Sequence, residues 1–378
     1  MSGERALVNY WYAYPVGHAI EGFRYCLGYK TADPTLGVSL LLNAASAIEL
    51  ARCCPFVEDV YAVPYTEFWR PDGDARQALV GVPREWDWVI DNHREAERSH
   101  DGFLGFREFF DASHEHFQTR RGLMLTGQEP PSYVPNQQLR LELPDTARAA
   151  ARETLHGRQA ISIVLAGSGL PSFYPSPNSW ILMLTELSLR FPEAALCLIG
   201  KLDGNAGSRT AIARPELERV AVKVGAIDCF DRPLLEQLAI VEASMLFLTP
   251  HTGFGFAAVS VGTPWLAISG GQWHEYFFNG VPFYSVLPDT ERYPCFAQGG
   301  PLPMLKEDSD GDGMRTASMS AARIQEDLGE VLGGAELLIE RRRTFEEALA
   351  DYFPRLLQAY GGDRSRIFSF DGIHYAYL

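Results

Sequence analysis

The sequence predicts an α/β protein built from two doubly wound domains. Three observations carry that prediction. Short β-rich apolar runs alternate with helical patterns from the N-terminus onward, the alternation pauses in a polar, proline-bearing stretch at 128–136 and then restarts, and 378 residues exceed what one core usually serves.

In the first half, residues 6–12 read as a strand, 19–29 as a helix and 38–42 as a strand; a helix over 44–53 and strands over 57–63 and 86–91 follow. Successive parallel strands need crossover helices on both faces, which makes this half doubly wound. After a helical stretch at 145–155 the scheme repeats. Strand 161–166, helix 180–190, strand 195–199, helix 234–243, strand 245–248, helix 254–261 and strand 265–268 succeed one another. The expected boundaries are an N-terminal Rossmann-like domain over 1–156, a C-terminal Rossmann-like domain over 157–333, and a helix and tail over 334–378 that is free to pack back on the N-terminal domain. Sheets of this kind bind ligands beyond their carboxyl strand ends, so the two domains are expected to face a cleft. Within the tail, 334–360 reads as one long amphipathic helix with ERRR at 340–343.

Composition narrows the function classes. Hydrophobic residues make up 46% and charged residues 21%, as in folded soluble proteins. A formal charge of −15 repels phosphate backbones and anionic lipid, so nucleic acid is not an expected partner. The basic residues are mostly arginine; lysine occurs only at positions 30, 201, 223 and 306. Six cysteines show no CxxC pair and no histidine at zinc-ligand spacing, which signals neither a structural metal nor a disulfide framework. A reducing, cytoplasmic setting is expected, and the N-terminus shows no export signal. Residues 243–273 contain no Asp, Glu, Lys or Arg, but Pro250, Pro264 and several glycines break the stretch into strand, turn, helix and strand, so no membrane span is expected.

An acidic run at 308–313, DSDGDG, opens like a calcium loop, yet its twelfth position is Met319 where a bidentate Glu belongs. It reads as a flexible acidic surface loop. Its DxD spacing falls after the last predicted central strand, outside the place a metal-holding DxD occupies, and neither a metal nor a cofactor is expected.

The strongest constellation is TPHTGFGFAAVSVGTP at 249–264. A strand ends at Pro250-His251-Thr252-Gly253 and a small-residue helix begins, which points free backbone N–H groups out of the sheet edge as an anion site. Gly253 and Gly255 allow close backbone approach around Phe254, Thr252 offers a hydroxyl and His251 a ring N–H. A tight turn with a buried histidine gives the same pattern. At the first strand's end, Gly17-His18 opens a helix; a neutral imidazole there suits proton abstraction from a hydroxyl, with Glu21 one turn on to orient it. A helix-start histidine bonded to backbone, beside a first-turn acid, is the plainer alternative.

The run at 248–268, LTPHTGFGFAAVSVGTPWLAI, resembles the donor-phosphate segment of the heptosyltransferases that transfer ADP-heptose to lipopolysaccharide, glycosyltransferase family 9. Thr252-Gly253, Ala257-Ala258 and Gly262-Thr263-Pro264 fall on its motif, and His251 stands where the family usually has Asp. Gly17-His18 falls on the family's Gly-Asp pair, whose carboxylate is the likely base there; histidines at both turns resemble family 1 glycosyltransferases. Both relatives have the GT-B fold, two Rossmann-like domains facing a cleft. By this resemblance the loop at 166–169 closes over the donor diphosphate with Ser168 and Gly169, Lys201 lies near the nucleotide, the loop at 228–231 borders the base or ribose, and Gln272 and Glu275 bond donor-sugar hydroxyls beside Trp273. WDWVIDNH at 86–93 matches a late strand of the first half.

The implied activity is an inverting, metal-independent glycosyl transfer from an ADP-, GDP- or UDP-linked sugar to a small-molecule or glycan acceptor, in natural-product or glycoconjugate biosynthesis. Two alternatives stay open: a nucleotide-sugar epimerase of the same fold, drawing on Glu21, Asp228 and Glu275 for proton abstraction, and an inactive member that binds nucleotide or sugar.

Overall fold

A computed structural model describes residues 3–11, 15–63, 75–91, 117–119, 131–204, 209–268, 279–287, 305–367 and 373–378. The chain divides into two compact units, Met1–Glu142 and Leu143–Leu378. The sequence division at 156/157 lies beyond a helix, Asp145–Leu155, that the structure assigns to the second unit.

The first unit opens with β1 (Arg5–Tyr10) and α1 (Val16–Ala32). β2 (Gly37–Asn43), a short 3-10 helix at Ile48–Cys53 and β3 (Val60–Val63) follow, then α2 (Ala75–Ala78), β4 (Trp88–Asp91) and β5 (Phe117–Thr119). Its sheet runs β3-β2-β1-β4-β5 with every pair parallel. Strand β2 is buried along its whole length, as a central strand covered on both faces must be. The expected helix over 44–53 is only the 3-10 turn: Asn43 accepts the Ala45 amide in a local turn and delays helix entry.

The second unit begins with α3 (Asp145–Leu155), β6 (Ala160–Ile163), α4 (Pro177–Arg190) and β7 (Ala195–Leu198). It continues through α5 (Arg214–Val224), β8 (Ile227–Asp228), α6 (Leu234–Glu242), β9 (Ser244–Pro250), α7 (Gly253–Val259), β10 (Trp265–Ile268) and β11 (Phe283–Val286). A hairpin of β12 (Leu305–Glu307) and β13 (Met314–Thr316) precedes α8 (Ala321–Ile339) and α9 (Phe345–Ala359). The six strands run β11-β10-β9-β6-β7-β8, all parallel. This order reverses direction between β6 and β9, which makes that gap the sheet's switch point. The core lies against both: Ile161, Ile163, Leu246 and Leu248 pack with Trp180, Met183 and Leu184 of α4 and Ala335 of α8.

Two expectations are corrected here. The helix read over 334–360 is two helices. Arg342 takes a left-handed φ of 47°, and Thr344 caps α9 by accepting the Glu347 amide while the Glu347 carboxylate accepts the Thr344 amide. The acidic run at 308–313 is an ordered turn whose carboxylates finish two helix N-termini. Asp308 accepts the Ala321 amide at the start of α8; Asp310 accepts the Ser176 hydroxyl and Asp312 the Asn178 amide at the start of α4, and Asp312 also pairs with Arg219 at 2.8 Å. No helix among the described residues is long and apolar enough to cross a membrane.

Candidate active site

In the first unit, the candidate residues His18 and Glu21 lie on α1, the helix that follows the central strand β1 in the chain. Pro15 holds the extended backbone from which α1 starts, and its carbonyl accepts the His18 amide at 3.0 Å. His18 and Glu21 are three apart and therefore share a helix face. Glu21 is fully buried, and its Oε2 lies 3.5 Å from Nδ1 of His18, whose side chain is 20% exposed. The contact is not a hydrogen bond: Nδ1 of His18 is buried and has no hydrogen-bond partner among the described residues. Both sequence readings of His18 anticipated a helix start; the structure adds that Glu21 lies behind the ring rather than in solvent.

In the second unit the candidate donor residues gather at the carboxyl edge on either side of the switch point. After β9, Thr252 caps α7: its Oγ1 accepts the Gly255 amide at 3.2 Å, so the hydroxyl proton remains to be donated elsewhere. The amides of Gly253 and Phe254, in the first turn, have no acceptor within the helix. Gly255 faces inward. A β-carbon built there would meet Trp265 and Thr249 at ordinary contact distances of 3.5 and 3.7 Å, so this glycine, expected to admit a phosphate, packs against the interior. The His251 ring also turns inward, stacking on Trp265 with centroids 6.3 Å apart and meeting Phe256 edge-on at 5.6 Å, and its Nε2 is buried.

After β6, the loop carrying Ser168 and Gly169 approaches the same turn. Both residues are exposed, and the Gly169 amide donates to the Tyr174 hydroxyl at 3.1 Å. A β-carbon on Gly167 would stand 2.7 Å from that hydroxyl and 3.1 Å from Thr252 Cγ2, so glycine is what lets the two loops close together. Tyr174 carries no sequence signal beyond its place three residues after a proline. Burial raises its phenol pKa and keeps it neutral.

Lys201 follows β7, one strand further along the edge, and is exposed. Its turn is tightly held. Gln237 clasps Gly200 by accepting its amide at 2.9 Å and donating to its carbonyl at 3.1 Å, and the Lys201 amide donates to Thr210 Oγ1. Asp231 accepts the amides of Leu202 and Asp203 and pairs with Arg214. Burial pushes the Asp231 pKa up, but these hydrogen bonds outweigh it and hold the carboxyl below the usual range. The carboxylates at 228 and 231, expected beside a base or ribose, thus serve this turn: Asp228 accepts the Phe230 amide and meets Arg214 at 3.4 Å. Gln272, Trp273 and Glu275 lie outside the described residues. Among the described residues, no three His, Cys, Asp or Glu side chains are grouped to hold a metal ion.

No protein-family profile matches the chain, and no curated protein matches its sequence. Solved structures do. A glycosyl transferase family 9 structure from Veillonella parvula DSM 2008 superposes with a TM-score of 0.57 at 14% identity, over 89% of this chain and 97% of that one. The E. coli ADP-heptose lps heptosyltransferase II gives 0.55 at 13%, covering 88% and 99%, and E. coli heptosyltransferase WaaC with ADP gives 0.50 at 12%, covering 88% and 99%. With both parallel sheets in place and nearly the whole of each chain matched, the protein has the GT-B fold of these heptosyltransferase structures.

Proposed function

We propose that the protein is a glycosyltransferase that moves a sugar from a nucleoside-diphosphate donor to an acceptor hydroxyl by one inverting displacement, without a metal. The His18–Glu21 pair at the first βα turn carries this reading. His18 Nε2 takes the acceptor proton, the acceptor oxygen bonds to the anomeric carbon from the face opposite the leaving group, and the bond from that carbon to the diphosphate breaks. Glu21 stabilises the imidazolium so formed. Inversion follows from a single displacement with the base on the acceptor side.

Charge released on the diphosphate is met by the amides of Gly253 and Phe254, the Thr252 hydroxyl and the Lys201 ammonium, groups that together replace a divalent cation. Ser168 and Gly169 border the same phosphates. The inward ring of His251 supports the turn from beneath. Donors are ADP-, GDP- or UDP-linked sugars and acceptors are small molecules or glycans, in natural-product or glycoconjugate biosynthesis in the cytoplasm.

The test is incubation with each nucleotide sugar and a panel of acceptor hydroxyls, with and without EDTA, followed by anomeric analysis of the product. Transfer with inversion in EDTA is expected. Isomerised donor without acceptor would assign an epimerase instead, nucleotide binding without turnover of any donor would assign a binding protein, and activity lost on chelation and restored by Mn²⁺ would overturn metal independence.

A further inference from the structure

The β12–β13 hairpin carries a charge arrangement that the proposed reaction does not use. Lys306 and Arg315 are direct partners in its antiparallel register, so two cationic side chains leave one face with their β-carbons about 5 Å apart, an unfavourable pairing by itself. Lys306 is exposed, whereas Arg315 is only 7% exposed. The guanidinium donates from Nη1 to the carbonyl of Met314 at 2.8 Å, while its Nε is buried without a hydrogen-bond partner. None of the described carboxylates pairs with it. The three acids of the adjoining turn are committed elsewhere: Asp308 to α8, Asp310 to Ser176, Asp312 to Arg219 and α4. Nε is withdrawn from water while Nη2, bonded to no described protein group, is not, so the guanidinium has a fork open to an anion and no described carboxylate to fill it.

We propose that Arg315 and Lys306 bind a phosphate group, the guanidinium through its N–H fork and the ammonium as a point charge. Two cations on one face match the double charge of a phosphate better than the single charge of a carboxylate. β13 packs against residues 171–173, just after the Ser168–Gly169 loop. The site therefore belongs to the second unit but uses none of the residues assigned above to the donor diphosphate.

Thermal unfolding of the full chain, followed by circular dichroism in inorganic phosphate against chloride at matched ionic strength, tests this. Phosphate should raise the midpoint of the wild type, and Arg315→Met should weaken phosphate binding about tenfold to a hundredfold, the loss expected for a hydrogen bond to a charged group. Lys306→Gln, at an exposed position, should weaken it without disturbing the fold, which keeps the test decisive if Arg315→Met does not fold. A nucleoside monophosphate run in parallel separates the sources. Equal sensitivity to Arg315→Met assigns phosphate esters, and an effect confined to inorganic phosphate assigns the free ion, either result upholding the site. No phosphate-specific shift, or a shift unchanged in both variants, overturns it. The phosphate effect must also persist in Gly253→Val; its loss there would place the phosphate on the donor turn and refute this site, while nucleoside diphosphate binding retained by Arg315→Met leaves the donor assignment standing.

Discussion

His18 Nδ1 stands 3.5 Å from the fully buried Oε2 of Glu21, one helical turn away on α1. The buried carboxylate lies on the Nδ1 side of the ring, in contact with it but without a hydrogen bond. His18→Ala should fold normally, as the side chain is partly exposed, and should lose about 10²–10⁴ in turnover, the range for a general base. Glu21→Gln keeps the volume and removes the charge, so it should also slow turnover while leaving nucleoside diphosphate affinity unchanged. Steady-state rates within about threefold of wild type for His18→Ala would take it out of the mechanism.

The β9–α7 turn separates two glycines by what surrounds them. Gly253 lies in the first turn of α7 beside amides that have no acceptor within the helix, whereas Gly255 packs on Trp265 and Thr249. Branched bulk at Gly253 should exclude a phosphate from the backbone. Gly255→Ala, with its β-carbon at ordinary contact distances, should bind like wild type. Calorimetric titration with nucleoside diphosphates should show binding lost in Gly253→Val and kept in Gly255→Ala, with circular dichroism checking that both are folded; equal binding by both variants would move the donor elsewhere.

The parts of this structure written in local sequence were legible. Pro250, Gly253 and the small residues after them mark the end of β9 and the start of α7, and Gly17-His18 marks the start of α1. Long-range partners were not. Nothing in DSDGDG shows that its carboxylates reach helix starts more than a hundred residues upstream in the chain at Ser176 and Asn178, and the apolar neighbours that turn His251 inward are set by the pairing of β9 with β10. Helix α5 carries little sequence signal, because RPELERVAVKV buries only Leu217 and Val220, too narrow a stripe to stand out. The break between α8 and α9 is a capping event, and periodicity alone runs through it.

Asp231 gives a pH dependence with a definite sign. Its carboxyl is held below the usual range in the folded protein, so its contribution to stability is present above the unfolded value near 3.9 and disappears as pH falls through the lower folded value. Asn tolerates the left-handed φ of 60° found there, so Asp231→Asn removes the charge without backbone strain. Urea unfolding from pH 7 downward should show the wild type more stable at neutral pH and the two proteins converging below about pH 4. A gap that stays constant with pH would mean the Arg214 pair and the Leu202 and Asp203 hydrogen bonds do not depend on that charge.

Neighbouring glycines in α8 should respond oppositely to one methyl group. A β-carbon on Gly333 would meet nothing within 4 Å, but one on Gly334 would stand 2.6 Å from Tyr284 Cδ1 and 3.0 Å from Leu266 Cδ1, where the helix lies against β10 and β11. Tyr284 has little freedom to retreat, since its hydroxyl donates to Glu330 at 3.0 Å and the Arg355 guanidinium covers its ring at 4.7 Å. Replacing glycine by alanine inside a helix stabilises by about 0.8–1 kcal/mol where there is room. Overpacking costs about 1–3 kcal/mol where there is none. Gly333→Ala should therefore raise the unfolding midpoint and Gly334→Ala should lower it, because at Gly334 the steric cost exceeds the gain in helix propensity. Denaturant melts of the two single variants decide the matter: a Gly334→Ala protein as stable as Gly333→Ala would show that α8 does not approach the sheet as closely as Tyr284 and Leu266 require.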